Sequence, residues 1–168
     1  GSTTARPILF QELINRLSDD SLPLRKAHIH HTQLPPDQGA MPEECNLLYA
    51  LGMVADESVL PIWSQLIDQL TEVDSDDLRD EMKGIFYYVD SICFGMERLG
   101  SPKAINLLKL LHHNPIFQQQ THESGYQVDY FLERQAYLEI IIARTLARCG
   151  SVEGYHILID YLRDSRAL

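Results

Sequence analysis

Between residues 76 and 99 the apolar positions Ile85, Phe86, Val89, Ile92, Cys93, Met96 and Leu99 recur at steps of one, three and four. That spacing lines one face of an α-helix. The same period runs from Phe131 to Cys149 through Leu132, Tyr137, Leu138, Ile141, Ile142, Thr145 and Leu146. The stretch from Pro7 to Leu17 predicts a further helix nearer the N-terminus. Asp19-Asp20-Ser21 then predicts a cap for a short segment carrying Leu22, Leu24, Ala27 and Ile29. Asp76 or Asp77 is expected to open its helix, since acidic side chains suit the positive end of the dipole.

The helical patterns repeat. Leu48-Tyr49-Ala50-Leu51-Gly52, Met96-Glu97-Arg98-Leu99-Gly100 and Leu146-Ala147-Arg148-Cys149-Gly150 each end on glycine, at intervals of 48 and 50 residues. Each glycine is followed by a short polar stretch and a second apolar run: Val59 to Leu70, Ala104 to Leu111, and Gly154 to Leu162. All three glycines are expected in the left-handed conformation that closes a helix. Ser101-Pro102 reads as a cap followed by proline at the first helical position, with Asp56 or Ser58 capping the first copy and Ser151 the third. Aligned on these turns, Trp63, Leu108 and Leu158 share one column, and Leu66, Leu111 and Tyr161 another. A helix, tight turn and returning helix cannot bury its apolar face alone, so neighbouring pairs must stack.

This period, together with the acidic turn and arginine of Asp19-Asp20-Ser21-Leu22-Pro23-Leu24-Arg25 and of Asp76-Asp77-Leu78-Arg79, resembles HEAT repeats. The third copy departs, with Asp129 at the matching position and Arg134 displaced. The resemblance covers nearly all of residues 1–168 and implies a single all-α domain. The implied form is an αα-superhelix, a HEAT-like solenoid of about three antiparallel helix pairs plus an N-terminal helix. It implies a non-catalytic module that binds a protein partner or a sibling domain, with the second helices lining the concave side. The polar column Asp68, His113 and Arg163, and the looser column Pro61, Asn106 and His156, are then the expected contact residues, while Trp63 belongs to the core.

A second resemblance is narrower. Ile142-Ala143-Arg144-Thr145-Leu146-Ala147-Arg148-Cys149-Gly150, followed by Leu158 to Leu168, is similar to the helical C-terminal region of some bacterial FAD-dependent oxidoreductases. It implies an accessory domain whose flavin site lies outside these residues. The nine glycines are scattered and form no GxGxxG, so no cofactor is assigned to this chain.

Two stretches interrupt the pattern. Residues 32–42 contain Pro35-Pro36, which cannot continue a helix, and 114–129 is long for a connection in a compact domain. Insertions of this kind often gather on a binding face.

Composition narrows the function classes. A formal net charge of −10 repels phosphate backbones, so nucleic acid is a poor partner. No apolar run reaches the roughly 18 residues of a membrane span, and no signal peptide is evident. Cys45, Cys93 and Cys149 are odd in number and lack CxxC spacing, which predicts free buried thiols compatible with the cytoplasm. Gly1-Ser2 without an initiator Met, and an end just past a helix, lead to the expectation of a fragment of a longer protein.

No catalytic motif emerges. His28 and His31 could share a helical face but would need further ligands from elsewhere, and His112-His113, which lie near His122, are explained by a helix C-terminus. The cluster Glu72, Asp74, Asp76, Asp77, Asp80 and Glu81 fits helix capping and lacks EF-hand spacing. The sequence therefore assigns no catalytic, metal or small-molecule site.

Overall fold

The computed structural model describes residues 4–17, 43–54, 56–70, 78–114 and 130–163. All regular structure among these residues is helical: α1 (Ala5–Leu17), α2 (Glu43–Met53), α3 (Leu60–Leu70), α4 (Leu78–Leu99), α5 (Ile105–His112), α6 (Tyr130–Arg148) and α7 (Val152–Arg163). The all-α expectation holds, and the N-terminal helix begins two residues before Pro7. The histidines at 28, 30, 31 and 122, the acidic residues from Glu72 to Asp77, and almost all of both interrupting loops lie outside the described residues.

Local chemistry sets the helix ends. The backbone N–H of Ser58 donates to Asp56 Oδ1 at 2.9 Å, and a single 3-10 turn, Glu57–Val59, leads into α3. Ser101 Oγ accepts from the Lys103 N–H at 3.3 Å ahead of the 3-10 turn Pro102–Ala104, with the proline at the first helical position. Gly100 (φ 58°) and Gly150 (φ 96°) close α4 and α6 in the left-handed conformation. At Gly150 the amide bonds to Ala147 O at 3.0 Å and the Ser151 amide to Leu146 O at 2.9 Å, the paired bonds of a Schellman closure.

Gly52 is a correction to the sequence reading. It lies inside α2, which continues to Met53, and it is not among the residues of positive φ. Its role is close approach. A Cβ at Gly52 would stand 2.8 Å from the Cα of Gly95, and one at Gly95 would stand 2.4 Å from Trp63 Cζ2. Missing side chains on α2 and α4 thus let the two helices meet backbone to backbone while the Trp63 ring of α3 covers the contact.

The helices meet in a simple order. α2 packs on α4 and α4 on α6, α3 meets α5, α5 meets α6, and α1 lies against α2. α7 doubles back along α6: Gly154 would place a Cβ 2.4 Å from Ala143 O, while Tyr161 near the far end reaches Glu139. Leu48, Leu51, Trp63, Ile67, Tyr88, Ile92, Met96 and Leu108 fill the interior between these helices. The partners of neighbouring helices recur at similar sequence separations: 41 residues for Tyr49 and Asp90, 44 for Glu57 and Ser101, 47 for Glu97 and Arg144.

The three thiols are free and buried, as expected. Burial pushes the Cys93 and Cys149 thiols up, away from the thiolate form that reacts. For Cys149 burial is the leading cause, with the Glu97 carboxylate adding to it.

Candidate functional site

α7 gathers Glu153, His156, Asp160 and Arg163 on one side, and its remaining apolar surface is only partly used by the fold. Its inner side presents Gly154, buried, with Ile157, Leu158 and Tyr161 half-buried against the neighbouring helices. Its outer side carries Val152 (66% exposed), Tyr155 (56%), Ile159 (41%) and Leu162 (86%). At about 100° per residue these four positions fall within roughly 80° of one another, a continuous stripe. Single exposed apolar residues need no explanation, whereas these four lie in register and form one continuous apolar patch.

The five contact residues expected from the sequence are all exposed: Asp68 on α3, Asn106 on α5, His113 just past α5, and His156 and Arg163 on α7. On the helical wheel His156 and Arg163 flank the stripe on the side of Val152, as a polar rim. The stripe itself was missed. Column alignment placed Leu158 with the core residues Trp63 and Leu108, yet Leu158 is only half-buried while those two are fully buried. The signal was present in the spacing of Val152, Tyr155, Ile159 and Leu162, but a helix with two apolar faces does not say which one the chain itself covers.

A second feature sits beside the start of α7. His112 Nε2 lies 3.2 Å from Glu139 Oε1, and the Tyr161 hydroxyl donates to Glu139 Oε2. Burial alone would raise the Glu139 carboxyl, but the bonds from His112 and Tyr161 outweigh it and hold the pKa below the usual value. His112 Nδ1 is buried without a hydrogen-bond partner among the described residues. His113 Nδ1 lies 2.7 Å from the Lys109 carbonyl, and its Nε2 is 3.9 Å from Glu153 Oε1. Lys109 Nζ takes the other oxygen of Glu153 at 2.6 Å. One ligand atom from each of His112, His113 and Glu153 lies within 4.8 Å of the others. These are the described residues able to hold a metal ion as a group.

Among the described residues no helix is long and apolar enough to cross a membrane. No protein family, curated protein or solved structure matches the chain.

Proposed function

We propose that this chain is a HEAT-like helical repeat module that docks a protein partner or a sibling domain and performs no chemistry of its own. The observation that carries the reading is the apolar stripe on α7. Shifted by one repeat of 50 residues, Tyr155, Ile159 and Leu162 correspond to Ile105, Lys109 and His112 of α5. Two of those α5 residues reach onward along the chain: Lys109 pairs with Glu153 of α7 and His112 bonds Glu139 of α6, while Ile105 is packed against the core. At Ile159 and Leu162, α7 therefore turns outward the positions that α5 turns toward the following pair. Its natural occupant is another helical surface of matching apolar character.

The recurring contacts roughly one repeat apart support the solenoid part of the reading, since stacked pairs touch only their neighbours. The buried thiols with raised pKa support the absence of nucleophilic chemistry at those positions. His156 and Arg163 border this surface on α7, while Asp68, Asn106 and His113 are exposed on α3, on α5 and just past α5.

The test is the double substitution Ile159→Asp and Leu162→Asp. Both side chains are exposed, so the stability of the isolated chain changes by no more than about 0.5 kcal/mol. Protein recovered with the tagged module from its own cell extract falls at least about tenfold, the loss expected when charges enter an apolar contact. Equal recovery with both forms contradicts the reading.

A further inference from the structure

We propose that His112, His113 and Glu153 form a binding site for a divalent first-row transition-metal ion such as Zn2+, with Glu139 holding His112 from behind. The site joins the end of α5 to the start of α7 and is independent of the docking reading.

The hydrogen bonds prepare both imidazoles as ligands. A Glu139 carboxylate whose Oε2 already accepts from the Tyr161 hydroxyl accepts at Oε1 as well, so the proton between Oε1 and His112 Nε2 is donated by the imidazole. In the neutral ring this leaves Nδ1 as a bare lone pair, and Nδ1 is the buried nitrogen without a hydrogen-bond partner among the described residues. A buried acceptor left unmatched is costly unless something fills its place. His113 is fixed in the opposite sense. The Lys109 carbonyl can only accept, so His113 Nδ1 carries the proton and Nε2 is the lone pair, on the side of Glu153 Oε1. Each ring thus has one nitrogen tied by an acceptor and the other unprotonated, as metal-bound histidines have. The Glu139–His112 arrangement is the carboxylate–histidine support of such sites, and Tyr161 in turn holds Glu139.

Two neutral imidazoles and one carboxylate suit zinc and its neighbours, whereas magnesium and calcium prefer all-oxygen sets. Three protein ligands leave a fourth position for solvent or an outside donor. One nitrogen of each imidazole and one Glu153 oxygen already lie within 4.8 Å of one another, so side-chain rotation can bring the three groups onto one ion. Lys109 opposes binding, because its ammonium neutralises Glu153 and takes Oε2. It is 42% exposed and can swing into solvent.

The experiment titrates the folded chain with Co2+, read by its visible absorption, and then displaces Co2+ with Zn2+. The histidines at 28, 30, 31 and 122 are replaced by Gln in the parent so that they cannot contribute. One ion per chain binds with the spectrum of a nitrogen- and oxygen-ligated low-coordinate site, and Zn2+ raises the melting temperature. His113→Gln and Glu153→Gln, both at surface positions, weaken binding by roughly tenfold or more. Glu139→Gln weakens it by about 10- to 100-fold, as loss of a supporting carboxylate does. Lys109→Gln tightens it. Circular dichroism confirms that each variant is folded. Affinity unchanged in His113→Gln and Glu153→Gln, or no saturable binding to the parent, overturns the proposal.

Discussion

At Gly95 a single hydrogen decides how three helices meet. A methyl group there has no room, because its carbon would lie 2.4 Å from the Trp63 ring. In an open helix, Gly→Ala gains about 1 kcal/mol in propensity. Here overpacking costs about 1–3 kcal/mol and more than cancels that gain. Gly95→Ala is therefore expected to lower the urea midpoint of the chain. Combined with Trp63→Phe, which removes the obstructing atoms, the two substitutions should couple, and a double-mutant cycle measures this.

Glu139 gives a pH dependence at the same scale. Its folded-state pKa lies below the ordinary 4.5, after the bonds from His112 and Tyr161 overcome the effect of burial. Its ionised form therefore stabilises the fold at pH values above 4.5, and that contribution is lost as the pH falls through the folded value. The stability difference between the parent and Glu139→Gln should be steady near neutrality and shrink on acidification below about 4.5. Thermal melts across that range in metal-free buffer measure it. A gap that widens in acid would contradict the assignment.

Among the elements, the turns between paired helices do as much as the helices to set the arrangement. Ser101 caps the entry to α5 through the Lys103 amide and also donates to Glu57 Oε1 at 2.8 Å, tying this turn to the preceding one. Ser101→Ala is expected to cost about 1 kcal/mol in chemical denaturation. Much at this scale was legible in the chain. Ser101-Pro102, Gly100 and Gly150 carry backbone requirements that few other residues meet, so the turns they specify could be read directly. α4 and α6 were legible because their apolar period is long. Gly52 was not, since a glycine for close helix contact and a glycine for a left-handed cap look alike until the neighbouring Gly95 is in place. The His112–Glu139–Tyr161 and His113–Glu153 groupings were also hidden. The contacting members lie 22 to 40 residues apart in sequence, and no local spacing announces them.

Among the described residues α2, α4 and α6 pack in that order, α3 meets α5, and one turn is tied to the next through Glu57, Ser101 and Lys103. α7 is where the described part of this succession ends. An interior helix of such a stack has both apolar faces covered, and α7 has one. On the docking proposal the outward face of α7 is where a partner or a further helical pair sits, and its substitution should alter association while sparing stability. The most direct measurement places a photo-crosslinking side chain at position 159, on the stripe, and in a second sample at position 46, where Asn46 is exposed on α2. Both proteins are expressed in the full-length polypeptide and illuminated in the cell. The docking account predicts a discrete crosslinked product from position 159 and little from position 46. Equal or absent crosslinking at the two positions would contradict it.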